Sequence, residues 1–448
     1  MAQVDIVAGG NAVVEDMTAA DMARRVKMIF IGSAGNLVEW YDFYAYAALA
    51  LYFAPSFFPG SDPVVQQLQA ALLFAFGFIV RPIGGWLFGH FADRYGRRTS
   101  LTISVLLMCM GSLIIAVSPT YAQIGIWAPV ILGVARVIQG LSLGGQYGTS
   151  ATYLSEMAHP KHRGFFSSFQ YVTLIGGQLT AILVLMIMQN VFLSNDEIRA
   201  WGWRIPFFIG GALAIFTAVM QKQLHETDQF TAAKKYAEKT GKKIGGLRQL
   251  MNYPKEIAIV VGLTMGGTTA FYTYTTYMQK YLKLSVGLND EQTTMVTAGS
   301  LIFALFLQPV YGAISDKIGR RPLLIMFGVC GTLFTIPILT TLQTAQGPWE
   351  AFFLIACAWL IVSGYTSINA VVKAELFPTA VRAIGVGLPY AVTVSIFGGS
   401  AESIALYFKT LGHETWFYYY LTGVIATSLL VYVFMRDTGK DSAMNRVE

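Results

Sequence analysis

Five charged residues stand well inside long apolar stretches of the chain, where a charge is costly and needs a partner or a task. They are Glu39, Asp42, Arg81, Arg136 and Glu402. A guanidinium group binds a carboxylate through two parallel hydrogen bonds, so Arg81 and Arg136 together suit a ligand with two carboxylates. The alternative is that a buried acid neutralises each arginine and the pair only holds helices together. Because Arg81 precedes a proline, it can also mark a helix kink.

The acids predict proton transfer. Glu39 and Asp42 are three residues apart and therefore share one face of a helix. Two acids this close hinder each other's ionisation, so we expect the pair to take up and release protons. A permanent ion pair with Arg136 or Arg81 is the alternative. Glu402 stands apart from other charges and is predicted to be a second protonation site. The face of Glu39 and Asp42 continues as a polar stripe through Gly32, Gly35, Asn36 and Tyr46.

Uncharged polar side chains complete the predicted binding site. Tyr272 and Thr276 are four residues apart, and Gln170 and Gln178 are eight apart, so each pair keeps one helical face. Membrane helices also use such residues for interhelical hydrogen bonds, which is an equally good interpretation of each one. The full predicted set is Tyr44, Gln170, Gln178, Tyr272, Thr276, Asn369 and Tyr390.

The composition indicates that helices in a membrane position these residues. Of 448 residues, 54% are hydrophobic and only 12% are charged, and the mean hydropathy is +0.53. These values exclude a soluble enzyme with a single anchoring helix. Apolar runs without period-two alternation predict an all-α protein rather than a β-barrel. The twelve predicted spans are 28–53, 69–92, 99–118, 126–154, 164–190, 204–222, 257–279, 293–314, 322–342, 350–372, 383–408 and 415–436.

The basic residues predict the orientation. One face would carry 23 of the 31 Lys and Arg residues, because both tails and the loops after even-numbered spans are basic. The other face would carry only Arg199, Lys280, Lys283 and Lys409. Cytoplasmic loops hold the excess of basic residues, so both termini are predicted to be cytoplasmic. The net charge of +6 is then an insertion signal, and we infer no nucleic-acid binding from it.

Two further basic residues are given structural roles. Arg204 stands beside Trp201 and Trp203, a pattern typical of an anchor at the membrane surface. Lys373 is near the predicted cytoplasmic end of the tenth span, where it would favour the helix C-terminus or pair with a loop acid.

The longest polar stretch divides the chain into two halves. The predicted organisation is a cytoplasmic tail at 1–27, a six-helix bundle at 28–222, a cytoplasmic linker at 223–256, a second six-helix bundle at 257–436, and a tail at 437–448. The halves repeat each other. Glu156 and Arg163 after the fourth span recur as Glu375 and Arg382 after the tenth, with the same separation of seven residues. Parallel repeats of this kind are related by an axis along the membrane normal.

A longer motif also recurs. GHFADRYGRR at 89–98 follows the second span, and GAISDKIGRR at 312–321 follows the eighth. Glycines permit close helix approach, and each aspartate can engage a loop arginine or a helix N-terminus in one conformation only. The alternative is that the loops merely anchor the chain by their positive charge. The residues predicted to gate conformational change are Gly89, Asp93, Arg97, Asp316 and Arg320.

The two loop motifs, together with Arg136-Val-Ile-Gln139-Gly140, resemble the signatures of the major facilitator superfamily over all twelve spans. This resemblance implies two bundles that rock about a central site. Segments 36–44, 81–85, 201–206 and 375–382 further resemble the metabolite:proton symporters, and 147–153, 169–178, 271–282 and 397–402 resemble the branch that carries 2-oxoglutarate. One position departs from the family pattern: Gln146 stands where Glu is usual. Since glutamine cannot change charge, proton coupling bypasses this position or is impaired.

Together these features predict proton-coupled import of a small dicarboxylate, with 2-oxoglutarate the substrate that the resemblance implies. A multi-pass protein of a bacterial inner membrane that works as a monomer is expected. Citrate, shikimate or a zwitterionic osmolyte are the alternative substrates. An enzyme is disfavoured because no nucleophile–base set, HExxH or GxSxG occurs, and a nutrient sensor because the tails are short. No cofactor or metal site is predicted, since Cys109, Cys330 and Cys357 stand in apolar runs without CxxC spacing.

Overall fold

The computed structural model describes residues 19–60, 62–95, 97–221, 246–378 and 381–445. Every long element in these ranges is a helix, and twelve helical segments follow the order of the apolar runs. They are α1 Ala19–Phe57, α2 Pro63–Ile79 with Arg81–Tyr95, α3 Arg97–Val117, α4 Trp127–Met157, α5 Arg163–Ile187, α6 Ile205–Gln221, α7 Pro254–Tyr272 with Met278–Tyr281, α8 Asp290–Ile318, α9 Arg321–Gln343, α10 Pro348–Thr366 with Asn369–Leu376, α11 Arg382–Thr393 with Ala401–Thr410, and α12 Thr415–Phe434.

The long helices are suited to a bilayer. Within the described ranges, ten segments are long and apolar enough to cross a membrane, and Ile103–Val117 of α3 is a shorter apolar stretch. The remaining segment, α1, has 39 residues. Large apolar side chains such as Trp86 and Phe334 are exposed on the outside, where lipid tails would cover them. The chain is an integral, multi-pass membrane protein, and the predicted all-α fold of twelve helices is confirmed. Which face is cytoplasmic stays a prediction.

Four helices are irregular in their middle. α2 breaks at Val80, α10 breaks between Thr366 and Asn369, and α7 and α11 contain π-helical turns at Thr273–Tyr277 and Val394–Gly398. Interrupted helices expose backbone groups and re-aim side chains, and they mark ligand paths in transporters. The first three breaks adjoin Arg81, Asn369 and Tyr272, and the π-helical turn of α11 lies four residues from both Tyr390 and Glu402.

Glycines bring helix backbones together at several crossings, two of which bear on the predicted residues. A Cβ atom at Gly144 of α4 would collide with the carbonyl oxygen of Arg81 on α2, so the two helices touch beside Arg81. A Cβ atom at Gly312 of α8 would lie 2.7 Å from the carbonyl oxygen of Gly164 on α5. The approach of Gly312 to Gly164 is a contact between the two halves and agrees with the close approach predicted for Gly312.

Some predicted features fall outside what the structure describes. Residues 1–18, 222–245 and 446–448 are not described. Part of each predicted tail and most of the predicted linker therefore lie outside the described residues. α7 begins at Pro254, three residues before the predicted seventh span. Gly89, Asp93, Arg97 and Gln146 lie on α2, α3 and α4, but their side chains are outside the described set.

Candidate functional site

Arg81 lies at the interface between the two halves. It starts the second part of α2, is 4% exposed, and its guanidinium carbon stands 3.8 Å from the ring centre of Phe78 and 4.6 Å from that of Phe43. Its Nε and Nη2 atoms have no hydrogen-bond partner among the described residues. Aromatic faces stabilise a cation without using its N–H groups. The guanidinium therefore retains hydrogen-bonding capacity for a ligand.

Tyrosines from both halves surround this arginine. Tyr272 of α7 packs edge-on against Phe78 with ring centres 5.1 Å apart, and its hydroxyl lies beside Arg81 and Tyr44. Tyr390 of α11 stacks on Tyr147 of α4, with ring centres 3.7 Å apart. We call Tyr44, Tyr147, Tyr272 and Tyr390 the tyrosine cluster; it brings together three predicted site residues, and Tyr147 was not among them.

The surroundings of Lys373 differ from those expected for its predicted structural role. It is fully buried, donates from Nζ to the Tyr147 hydroxyl at 2.8 Å, and stands 3.6 Å from the ring centre of Tyr390. Within the described ranges no carboxylate pairs with it. The position of Asn369 contained the signal, because Asn369 and Lys373 are four apart on one helical face. Asn369 accepts a hydrogen bond from Tyr147 at 3.1 Å, so both residues face the tyrosine cluster.

Arg136 belongs to a second group, buried within the N-terminal six helices. It is fully buried, donates to Gln139 at 2.6 Å, and lies over Phe43 at 4.4 Å and Tyr46 at 4.5 Å. Phe43 also contacts Arg81, so the two arginines share one aromatic neighbour. Like Arg81, Arg136 keeps Nε and Nη2 without a hydrogen-bond partner among the described residues, and the expectation that both arginines face one cavity stays a prediction.

Glu39 and Asp42 are almost fully buried, and none of their carboxylate oxygens has a hydrogen-bond partner in the described chain. Asp42 packs against Gly210 of α6 and lies beside Ser112 of α3, in the neighbourhood of Arg136. No ion pair forms between these acids and Arg136 or Arg81 in the described residues, so the predicted alternative of a permanent pair is absent here. A buried carboxyl group without a hydrogen-bond partner can gain or lose a proton without breaking a contact that stabilises the fold.

The predicted polar stripe of α1 is divided between neighbours. Asn36 donates to Thr173 of α5 at 2.7 Å and accepts from Trp40 at 3.0 Å. Tyr46 instead donates to the carbonyl oxygen of Ala70 on α2 at 3.0 Å. Because α1 is surrounded by other helices, its polar residues face α5, α6 and α2 in turn rather than one cavity.

The sequence suggested that Glu402 is isolated from other charges, but the structure gives it a partner. Its Oε1 atom pairs with Lys280 of α7 at 3.2 Å, and both side chains are buried. Lys280 also donates to the carbonyl oxygen of Ala47 on α1 at 2.7 Å. The prediction that Lys280 lies on a membrane face is wrong, because the helical register of α7 turns it inward. Thr276, another predicted residue, lies beside Glu402.

The two predicted glutamines are buried on α5. Gln170 accepts from Ser150 of α4 at 2.8 Å, while its Nε2 atom has no partner in the described chain. Gln178 is 3% exposed, and its Oε1 atom is also without a described partner. Both thus keep unused polar atoms, as a binding residue requires.

Polar contacts join the halves at the ends of α4, α8 and α10, which we call the motif end. Asp316 of α8 accepts from the backbone N–H groups of Gly164 and Phe165 at 2.7 and 2.9 Å and pairs with Arg320 at 2.8 Å. Arg320 also pairs with Glu375 at 3.2 Å. A carboxylate at a helix N-terminus is stabilised by the unpaired N–H groups there. The predicted engagement of Asp316 with an arginine and a helix N-terminus is present.

Ionic contacts are also present at the opposite end, which we call the far end. Arg199, on the short helix Asn195–Ala200 before α6, pairs with Asp290 at the start of α8 at 2.7 Å. Lys283, in the π-helical turn Leu282–Val286 that follows α7, pairs with the other oxygen of Asp290 at 2.7 Å. Polar contacts therefore cross between the two halves at both ends of the molecule.

Two helical halves with a buried polar site between them and breakable contacts at both ends are the architecture of a secondary transporter. The model of the family "Sugar (and other) transporter" matches residues 28–252 and 231–444. The chain belongs to this transporter family, which is not a family of enzymes.

Sequence relatives agree with this assignment. The alpha-ketoglutarate permease of Escherichia coli (strain K12) is 48% identical over 95% of this chain and 96% of its own length. The citrate-proton symporter of Klebsiella pneumoniae is 33% identical over 90% of each chain. The glycine betaine/proline/ectoine/pipecolic acid transporter OusA of Dickeya dadantii (strain 3937) is 30% identical over 95% of this chain and 86% of its own.

Solved structures agree on the fold. The major facilitator superfamily proton:xylose symporter XylE bound to 6-bromo-6-deoxy-D-glucose superposes with a TM-score of 0.78 at 17% identity, over 95% of this chain and 98% of that one. The inward open xylose transporter XylE from E. coli gives a TM-score of 0.69 at 18% identity, over 94% and 98%. Twelve helices in two bundles are therefore the fold of this chain.

Proposed function

We propose that this protein imports a small dicarboxylate, 2-oxoglutarate, together with protons by alternating access. The observation that carries the proposal is Arg81, buried where the halves meet, with two nitrogen atoms free for a ligand and tyrosines of both halves beside it. The 48% identity to a permease named for alpha-ketoglutarate supports this substrate. The site lies in a bacterial inner membrane, and one chain supplies both halves, so a monomer suffices.

The chemistry of the interface favours an anion. Arginine and tyrosine hydroxyl groups are hydrogen-bond donors that match carboxylate oxygens. A zwitterionic osmolyte would also need an anionic partner for its cationic group. The buried carboxylate of Glu402 is already engaged by Lys280. For this reason an organic anion is preferred over the zwitterions carried by more distant relatives.

Proton coupling is assigned to Asp42 and Glu39, with Arg136 as the neighbouring cation. Burying an unpaired carboxylate costs far more than burying a carboxylic acid. A carboxyl group that alternates between a buried and a water-exposed position therefore carries a proton inward. Because Arg136 and Asp42 are close without being paired, a change at one alters the field at the other.

Electrostatics constrains the number of protons. Moving a dianion inward against an inside-negative potential costs about 4.6 kcal/mol per 100 mV, since each charge contributes about 2.3 kcal/mol. Two co-transported protons cancel this cost, so we propose about two protons per dianion. Uptake that carries net negative charge inward would contradict this stoichiometry.

Counterflow in proteoliposomes tests the assignment. Vesicles preloaded with unlabelled 2-oxoglutarate should accumulate the labelled compound, whereas vesicles preloaded with betaine, shikimate or citrate should not. Arg136→Gln and Arg81→Gln serve as inactive comparisons, and Arg436→Gln, an exposed residue paired with Asp441, serves as an active one. Counterflow with one of the other solutes and not with 2-oxoglutarate would replace the substrate named here.

A further inference from the structure

Lys373 is a buried cation that the helix bundle does not neutralise. Its exposed fraction is 0%, and the only hydrogen bond that the described residues give its ammonium group is to the Tyr147 hydroxyl at 2.8 Å. An ammonium group has three N–H donors. Desolvating a cation is costly unless a charge or several acceptors replace the water.

A second buried lysine shows how this fold neutralises a cation when only structure is required. Lys280 is equally buried, but it pairs with Glu402 at 3.2 Å and donates to the Ala47 carbonyl oxygen at 2.7 Å. Lys373 has aromatic rings instead, with Nζ at 3.6 Å from the ring centre of Tyr390 and 4.8 Å from that of Tyr147. The contrast leaves the charge of Lys373 available to an anion that is not part of the chain.

A helix break and two hydrogen bonds fix the position of Lys373. α10 is interrupted just before Asn369, and the next turn carries Lys373. Tyr147 donates its hydroxyl proton to Asn369 and accepts from Lys373, so one side chain of α4 fixes two residues of α10. This arrangement aims the ammonium group at the tyrosine cluster.

Arg81 reaches the same cluster from the other half. It lies beside Tyr272 and near Tyr390, and Tyr390 in turn contacts Lys373. Both cations therefore border one set of tyrosines, but one belongs to α2 and the other to α10. Neither has a carboxylate partner in the parts of the chain that the structure describes.

We infer that Lys373 binds the second carboxylate of the substrate, so that a dicarboxylate is held between Arg81 of one half and Lys373 of the other. This inference rests on the proposed function. A dianion satisfies both cations and links the halves, whereas a monoanion leaves one of them desolvated and unpaired. Selection for two carboxylates then follows from the position of the charges, and Lys373 is a specificity-determining residue.

Binding of two matched ligands tests the role of Lys373. 2-Oxoglutarate and 2-oxopentanoate share a five-carbon chain and a keto group, but only the first has a second carboxylate. Calorimetry on the full chain in detergent should show that Lys373→Gln weakens binding of 2-oxoglutarate by at least about tenfold, the effect of losing a hydrogen bond between charged groups. Binding of 2-oxopentanoate should change by less than about threefold, which is under 0.7 kcal/mol at about 1.4 kcal/mol per tenfold.

Three further variants serve as controls for the role of Lys373. Lys373→Arg keeps the charge and should retain the preference for the dianion. Lys373→Met removes a desolvated cation while keeping the length of the side chain, so it should be at least as heat-stable as the wild type and still lose the preference. Lys409→Gln removes a lysine paired with Glu414 at the far end and should leave both affinities unchanged.

The outcomes separate this inference from the proposed function. Suppose that the wild type binds 2-oxoglutarate and that the Gln and Met variants keep the preference for 2-oxoglutarate over 2-oxopentanoate. Lys373 then does not bind the second carboxylate, and the same conclusion follows if the variants lose affinity for both ligands equally. If the wild type binds no dicarboxylate, the proposed function fails and the inference fails with it.

Discussion

Arg382 at the start of α11 pairs with Glu156 at the end of α4, with Nη1 and Oε1 3.0 Å apart. Arg163 at the start of α5 lies 3.9 Å from Glu375 at the end of α10. These four residues are the ones that recur in the two halves of the sequence, and each arginine meets the acid of the opposite half. A contact between two related halves is self-complementary in this way when a two-fold axis relates them. The repeat in the sequence therefore corresponds to a reciprocal lock at the motif end.

Removing the Glu156–Arg382 pair should open the motif end. Arg382→Gln leaves Glu156 without its partner, and a hydrogen-bonded charge pair contributes about 1.5 to 3 kcal/mol. The population open at the motif end should rise about tenfold or more. Spin-label distances between the ends of α4 and α10 measure this population.

Exchanging the charges controls for the loss of a side chain. The double variant Glu156→Arg with Arg382→Glu should restore the closed state, whereas Arg436→Gln, outside the lock, should not change it. A closed population that is identical in Arg382→Gln and the wild type would show that other contacts hold this end.

The position of Asp42 depends on a glycine. A Cβ atom at Gly210 would overlap Oδ1 of Asp42, so Gly210→Ala must displace this short side chain. We expect this variant to lose accumulation driven by a proton gradient while exchange of preloaded substrate persists. Comparing the two transport modes in one preparation of proteoliposomes makes the measurement.

The neighbouring glycine gives a matched control. A Cβ atom at Gly211 would lie 2.7 Å from Cδ2 of Leu113, a flexible side chain that can move aside. Gly211→Ala should therefore keep both transport modes. Asp42→Asn should reproduce the effect of Gly210→Ala, and a variant Asp42→Asn that still concentrates substrate would remove Asp42 from proton coupling.

The Lys280–Glu402 pair separates a structural role from a proton-carrying one. Removing one partner of a buried pair typically costs about 3 to 5 kcal/mol, because the other charge stays buried and alone. Lys280→Met and Glu402→Gln should each lower the melting temperature in detergent, and the double variant should recover most of that loss.

Transport by the double variant then decides the role of Glu402. If Glu402 is a second protonation site, the stable double variant should transport fewer protons per substrate. Unchanged proton-driven accumulation by the double variant would leave Glu402 as a structural partner of Lys280 only.

Gln146 marks a missing charge in α4. Gln146→Glu should strengthen the dependence of uptake on the proton gradient, because a carboxyl group at this position can take up a proton and an amide cannot. The ratio of uptake with and without an imposed gradient measures the change. An unaltered ratio would mean that coupling bypasses this position.

The fold was predictable from the sequence because apolar runs and repeated motifs are properties of consecutive residues. Arg81 and Asp316 could be identified for the same reason, since a charge in an apolar run or a motif is visible without a partner. The residues that these charged side chains contact could not be identified from the sequence. Lys280 looked like a loop residue and Glu402 like an isolated acid, although they pair across α7 and α11 at 3.2 Å. Lys373 was misjudged because its surroundings come from α4 and α11, which are distant in the chain.

Accumulation of 2-oxoglutarate under an imposed proton gradient tests the central claim most directly. Proteoliposomes that are acidic outside, with the membrane potential clamped at zero, should concentrate labelled 2-oxoglutarate above its external level and take up protons with it. Collapse of the gradient by an ionophore should release the accumulated label. Equilibration without accumulation, or accumulation that is the same with and without the gradient, would contradict proton-coupled import of a dicarboxylate by this chain.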